Sequence, residues 1–127
     1  MRPLTKAPSR LLDHMTADLA DPAGDGESRR KYDAGRGYMA ATVERIGANR
    51  YSVAHYYEQN GDLVPDPDLE LIKHEGKWYP AACTMATGHY SLAIECDDAG
   101  APARVFRGVY RDLRSFGTML LRNIRQQ

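Results

Sequence analysis

The chain has 127 residues, 43% of them hydrophobic and 27% charged, which is enough for one globular domain. Its 17 Lys and Arg balance 17 Asp and Glu, so net charge gives no overall attraction to nucleic acid or anionic membranes. No apolar run reaches the roughly 18 residues that span a bilayer, and the first residues lack the apolar core of a secretory signal. Two cysteines without such a signal, Cys83 and Cys96, predict reduced thiols in a cytoplasmic protein.

The first predicted element is a helix over residues 9–20. Ser9 is its expected N-cap, because a serine hydroxyl can accept from the free amides of the first turn. Asp21-Pro22 is expected to end the helix, because the residue before a proline is disfavoured in the α region. One apolar stripe follows the helical period, formed by Leu11, Leu12, Met15 and Leu19.

Residues 21–36 predict an exposed, mobile loop. Half of them are charged, three are glycines, and Tyr32 is their one candidate for a core anchor. Such a segment buries too little apolar surface to offset the entropy of ordering it.

Residues 37–107 predict an antiparallel meander of about five strands, because apolar and polar residues alternate. The candidate strands cover 38–46, 51–58, 68–74, 77–85 and 89–96. Asn60-Gly61 is the strongest hairpin signal, since both residues tolerate positive φ, and Glu75-Gly76 predicts a second turn. Pro65 and Pro67 cannot donate to a ladder, so their segment is expected at an edge or a bulge.

The last predicted element is a helix over residues 108–126. Its buried stripe is Val109, Leu113, Phe116, Leu120 and Ile124. The opposite face carries four arginines, Arg111, Arg114, Arg122 and Arg125. A sheet with one apolar face and two amphipathic helices predicts an α+β fold with both helices on that face.

Charge is segregated along the chain. Residues 58–98 carry nine acidic residues against two lysines, and residues 104–127 carry six arginines against one aspartate. The two regions are either solvated surfaces that complement each other within the molecule, or a site that steers a charged partner.

Two regions of the sequence contain candidate metal ligands. A calcium loop that starts at Glu58 would need Gly at its sixth position and Glu at its twelfth, where this chain has Leu63 and Leu69. This excludes an EF-hand and leaves a looser oxygen site from Asp66, Asp68 and Glu70 as an alternative. A zinc site would have to combine residues without the usual ligand spacing, namely His55, His74, Cys83, His89 and Cys96.

No catalytic signature is present in the sequence. Neither cysteine nor any serine lies in a nucleophile-turn motif, and Gly24-Asp25-Gly26 and Gly35-Arg36-Gly37 lack the lysine or spacing of a phosphate-binding loop. We therefore assign no catalytic residue, no metal and no cofactor, and keep a small enzyme with an unrecognised site as an alternative.

Nucleic-acid binding is a further alternative. The arginine face of the last helix, Arg29-Arg30-Lys31 and eight tyrosines favour it. The isoelectric point of about 6.9 and the acidic sheet oppose it, because acidic side chains repel phosphate.

Part of the chain, residues 37–127, resembles a family of small uncharacterised bacterial proteins that are often encoded on plasmids and integrative conjugative elements. Three stretches carry the resemblance: Ser52-Val-Ala-His-Tyr-Tyr-Glu-Gln-Asn-Gly-Asp62 with Asp66-Pro67, then Trp78-Tyr79-Pro80, and Arg111-Asp-Leu-Arg-Ser-Phe116 with Arg122-Asn-Ile-Arg125. The resemblance implies a role in transfer, maintenance or evasion of host defence, and no particular activity.

The leading interpretation is a non-enzymatic accessory protein of a mobile element that binds a macromolecular partner, with a protein partner favoured over nucleic acid. One version is an anti-CRISPR-like inhibitor of host defence that presents acidic residues in place of DNA phosphates. The predicted partner-binding residues are Tyr56, Tyr57, Glu58, Asn60, Asp62, Asp66 and Asp68. A twofold homodimer that covers the proline-interrupted edge and the tyrosine-rich face is also predicted.

Overall fold

The computed structural model describes residues 1–32 and 40–126, with the backbone alone at 40, 56–59, 63–66 and 126. The helices are α1 (Lys6–Thr16) and α2 (Arg107–Gln126). The strands are β1 (Arg29–Tyr32), β2 (Ala40–Arg45), β3 (Arg50–Gln59), β4 (Asp62–His74), β5 (Lys77–Thr84), β6 (Tyr90–Leu92), β7 (Ile94–Cys96) and β8 (Pro102–Val105).

The first six strands form one antiparallel sheet in the order of the chain, and β7 and β8 form a separate antiparallel pair. Both helices contribute to one core with this sheet. The predicted α+β fold with an antiparallel meander is therefore confirmed. The largest fully buried side chains of the core are Trp78, Leu12, Met15, Leu69, Leu71, Ile72, Ile94, Leu121, Val43 and Val53.

Helix α1 begins three residues earlier and ends four residues earlier than predicted. Thr5 holds the N-cap position without a side-chain hydrogen bond, and the Ser9 hydroxyl donates to the carbonyl of Leu4, so the prediction of Ser9 as N-cap is wrong. Pro8 lies within the first turn, where a residue without an N–H is tolerated because that group has no helical acceptor.

A polar contact anchors α1 to the sheet. The Asp13 carboxylate accepts from the indole Nε1 of fully buried Trp78 at 2.8 Å and from the Lys73 ammonium at 3.0 Å. The Tyr51 ring meets the Trp78 ring edge-on, with centroids 5.0 Å apart. These contacts attach α1 to the end of β4 and the start of β5, beside the turn at Glu75-Gly76.

The predicted mobile loop 21–36 is wrong for residues 29–32, which form β1 at the edge of the sheet. Its side chains alternate between exposed and half-buried, so Arg29 and Lys31 remain in water, Arg30 is half-buried, and Tyr32 packs on the core. The Tyr32 hydroxyl donates to the carbonyl of Met15 at 3.1 Å. The rest of the predicted loop beyond residue 32 lies outside the described residues.

The two predicted tight turns are confirmed. Asn60 and Gly61 have φ of 53° and 87°, and Glu75 and Gly76 have φ of 52° and 78°. All four lie in the left-handed region that a two-residue hairpin of this type requires.

The proline-containing segment belongs to the long strand β4. It is predicted to lie at an edge or a bulge, and it lies at both. The β3–β4 register shifts between Ala54 and Tyr56, which is a bulge opposite the prolines. Strand β5 pairs with β4 only from Asp68 onward, so Pro65 and Pro67 lie where β4 has one partner. A missing N–H costs little at such a local edge.

The single strand predicted at 89–96 is wrong, because the chain changes sheets at Ala93. Tyr90–Leu92 pairs with β5, and Ile94–Cys96 pairs with β8. The Ala93 N–H donates to Ala81 and the Ala93 carbonyl accepts from Phe106. Period-two patterning reports extended backbone but not the partner strand, so it cannot detect this switch.

Helix α2 begins at Arg107, one residue before the prediction, and ends as predicted. Leu113, Leu120 and Ile124 of the predicted stripe are buried, and Val109 and Phe116 are partly buried against the core. Tyr110 and Leu121 are buried as well, so the apolar face is wider than the stripe suggested. Within the described ranges, no helix combines the length and apolarity required to cross a membrane.

Candidate functional site

The β3–β4 hairpin carries the predicted acidic site. The structure brings the backbones of all seven predicted residues together in this hairpin: Tyr56, Tyr57, Glu58, Asn60, Asp62, Asp66 and Asp68. Asn60 and Asp62 are exposed at its turn. The side chains of Tyr56, Tyr57, Glu58 and Asp66 lie outside the described part of the structure.

On the side of β5, the hairpin extends past its neighbour in the sheet. Strand β5 pairs with β4 only from Asp68 onward, and the residues that precede β2 at Ala40 lie outside the described part of the chain. Residues 57–64, here called the acidic arm, continue the β3–β4 pairing up to the turn, where Gln59 pairs with Asp62. The sequence from 51 to 72 contains five acidic residues and no lysine or arginine, so the arm has a uniform sign of charge.

The acidic residues at the base of the hairpin are engaged within the molecule. The Ser52 hydroxyl donates to Asp68 Oδ1 at 2.5 Å, and Arg50 Nε donates to Glu70 Oε1 at 2.9 Å. Burial raises the pKa of the Asp68 carboxyl, the Ser52 hydrogen bond lowers it, and the charge of Glu70 raises it. The carboxylate best placed to meet a partner is therefore Asp62 at the tip rather than Asp68.

The four arginines of α2 have different environments. Arg111 is 82% exposed beside the equally exposed Asp112, with 3.9 Å between Arg111 Nε and Asp112 Oδ1. Arg114 Nε donates to the Pro3 carbonyl at 2.9 Å and so holds the N-terminal segment. Arg122 and Arg125 are exposed and line a groove between α2 and α1.

The arginine face and the acidic hairpin are not joined by any described contact. The ion pairs among the described residues lie elsewhere, as in Arg30 with Asp18 and Lys73 with Asp13. No carboxylate within residues 1–32 and 40–126 that has a described side chain pairs with Arg114, Arg122 or Arg125. The positive and negative surfaces thus remain separate in these ranges.

The part of the chain that the structure describes contains no cluster of side chains suited to a metal ion. No three His, Cys, Asp or Glu side chains there are grouped so that they could hold a metal ion. The five residues of the zinc alternative are all described, and no three of them are grouped in this way: His55, His74, Cys83, His89 and Cys96. The alternative oxygen site includes Asp66, whose side chain lies outside the described part of the structure.

The sequence analysis did not predict that α1 places basic side chains beside the arginines of α2. Arg10 and His14 lie on its exposed side and line a cleft together with Arg125. Their spacing of four residues outside the apolar stripe indicates a shared helix face. Only the packing of α1 against α2 reveals that this face adjoins the arginines of the last helix.

Comparison with known proteins identifies one family. Residues 15–127 match the family model described as a domain of unknown function, DUF6908. Neither the curated proteins nor the solved structures gave a match.

Proposed function

Since the chain belongs to the DUF6908 family, whose description names no activity, we propose on physical grounds that it is a non-enzymatic binding protein. Its partner is a macromolecule with a cationic surface, which the β3–β4 hairpin recognises. In the cell it is a cytoplasmic accessory protein of a mobile genetic element, and an anti-CRISPR-like inhibitor of host defence is the specific version of this role.

The acidic arm is the observation that carries the proposal. It extends past β5 on one side and ends in an exposed turn that a partner can reach. Asp62 and Asn60 are exposed at its tip, while Arg50 neutralises Glu70 at its base. Charge of one sign concentrated on one element raises the rate of encounter with an oppositely charged surface.

Capture from a lysate of the host cell with charge-matched variants tests the proposal. We expect Asp62→Lys to lose the captured partner and Asp98→Lys to retain it. Both substitutions change the net charge equally and both sites are exposed, but Asp98 lies in the β7–β8 loop, away from the arm. Equal capture by the two variants would contradict a role for the hairpin.

A salt titration of the captured complex provides the second measurement. We expect affinity to fall by about tenfold between low and physiological ionic strength, because screening shortens the reach of the arm's charge to roughly 8–10 Å. An affinity that does not change with salt would rule out electrostatic recognition.

Nucleic-acid binding through the arginine face is the second candidate function. Arg122 and Arg125 favour it, because both are exposed and neither pairs with a described carboxylate. A gel shift with short duplex and single-stranded DNA tests it, with Arg122→Ala plus Arg125→Ala compared with the exposed Arg29→Ala. We expect the double variant to lose any shift that the intact protein gives. A shift that survives would place the nucleic-acid site elsewhere.

Nothing in the described part of the chain specifically favours the alternative of a small enzyme.

A further inference from the structure

A continuous groove runs along the seam between α1 and α2. It consists of two neighbouring clefts of about 110 Å³ and 290 Å³. Both are lined by Ala7, Leu11 and Arg125, so the clefts share a wall. The groove is formed by described residues throughout and lies apart from the acidic hairpin.

The groove has an apolar floor and a cationic rim. Pro8 and Leu121 are buried beneath it, and Leu11 is half-buried in its wall. Arg10, Arg122 and Arg125 are exposed around it, and His14 lies beside them. No acidic residue lines either cleft, so the positive charge of the rim is not neutralised at the groove.

The size of the smaller cleft indicates what it can hold. Sites for whole small molecules usually enclose about 300–1,000 Å³, so the 110 Å³ of the smaller cleft is too small for one, while the 290 Å³ of the larger cleft lies near the lower end of this range. A volume of this order accommodates one large apolar side chain. An apolar pocket for a single side chain beside a polar rim is the usual arrangement for an anchor residue of a peptide.

Nucleic acid fits this groove less well than an acidic peptide. Phosphates would pair with the arginines, but they would leave the exposed Ala7 and the half-buried Leu11 without an apolar partner. Bases stack on aromatic side chains, and no aromatic residue lines either cleft.

We propose that the α1–α2 groove binds an acidic amphipathic segment of a partner protein. One apolar side chain of the segment enters the cleft above Pro8 and Leu121, and its carboxylates pair with Arg10, Arg122 and Arg125. This site goes beyond the proposed function, because it lies on another face of the molecule and recognises the opposite charge. The α1 residues that line it precede the stretch matched by the family, which starts at residue 15.

Fluorescence anisotropy with a defined probe tests the inference. The probe is a labelled helical peptide with leucines and glutamates spaced along one face, and its matched control replaces each leucine with alanine. We expect the leucine peptide to bind the full-length protein and the alanine peptide to bind at least tenfold more weakly. Failure of the leucine peptide to bind at concentrations up to about 1 mM would overturn the inference.

Charge-matched variants locate the binding. We expect the double variant Arg122→Glu and Arg125→Glu to bind the leucine peptide at least tenfold more weakly than the intact protein. The control double variant, Arg29→Glu and Arg111→Glu, changes exposed positions outside the groove and is expected to keep most of the affinity. Ala7→Trp fills the smaller cleft from an exposed position, and is expected to abolish binding without lowering the free energy of unfolding.

Three outcomes would reject the acidic peptide as the occupant. Equal affinity of the leucine and alanine peptides would mean that charge alone is recognised. Tighter binding of labelled duplex DNA, lost in the same groove variant, would assign the groove to nucleic acid. Self-association that disappears with Arg122→Glu and Arg125→Glu would assign it to a second copy of the chain.

Discussion

His55 is a histidine enclosed by the sheet and the core. It is 4% exposed and lies at the bulge of β3 between Ala54 and Tyr56, and its Nε2 has no hydrogen-bond partner among the residues that the structure describes. Burial lowers the pKa of the His55 imidazole below its ordinary value of 6.5. A buried imidazole without a partner is stable only in its neutral form.

The pH dependence of stability follows from this shift. The unfolded chain binds a proton at His55 more readily than the folded chain, so the free energy of unfolding is highest above pH 6.5. It falls as the pH decreases from 6.5 through the folded pKa. We expect urea unfolding between about pH 5 and pH 8 to show this loss, and His55→Leu to reduce it. The exposed His14→Gln serves as the control, and an unchanged slope in His55→Leu would contradict the assignment.

Arg114 shows how the surroundings of one residue decide its role. Its helical period assigns it to the same face as Arg122, but its guanidinium holds the Pro3 carbonyl. The neighbouring Tyr110 hydroxyl donates to the Arg2 carbonyl, and burial raises the pKa of Tyr110 to about 12. Together with the buried Leu4, these contacts attach the N-terminal segment to α2.

At the scale of elements, α2 lies close to the sheet at Gly117. A Cβ atom at this position would lie 3.2 Å from Cδ2 of Leu69 in β4, which is tighter than an ordinary contact. Glycine therefore permits the helix to rest on the sheet, and the position is a sensitive probe of this packing.

Two glycine substitutions in α2 should act in opposite directions. Gly117→Leu is expected to lower the free energy of unfolding by about 1–3 kcal/mol, because the added side chain overpacks the contact with Leu69. Gly108→Ala meets nothing within 4 Å and is expected to raise it by up to about 1 kcal/mol, because alanine has the higher helix propensity. Chemical denaturation measures both changes in the free energy of unfolding. If Gly117→Leu leaves this free energy unchanged, the contact between α2 and Leu69 can rearrange and the prediction is wrong.

At the scale of the molecule, surfaces of opposite charge occur on separate elements. The acidic arm belongs to β3 and β4, and the basic groove belongs to the two helices. The two surfaces are therefore suited to two different partners, one with a cationic surface and one with an acidic surface.

Assembly is a prediction of its own. The Pro65–Pro67 edge and the tyrosine-rich face predict a twofold homodimer. We expect light scattering after size exclusion to give about twice the mass of the 14.2 kDa chain at micromolar concentration. The mass of a single chain under these conditions would contradict the dimer.

The sequence by itself determined the fold class, the two helices, both tight turns and the location of the irregular prolines, since these depend on local periodicity and on backbone preferences. Asn60-Gly61 and the α2 stripe are examples, because neighbouring residues alone set the left-handed turn and the amphipathic face. Tertiary structure decided what depends on distant partners: the pairing of Arg29–Tyr32 with β2, the change of sheet at Ala93, and the role of Arg114. The α1–α2 groove belongs to the same class, because each wall is an ordinary helix face until packing brings the two together.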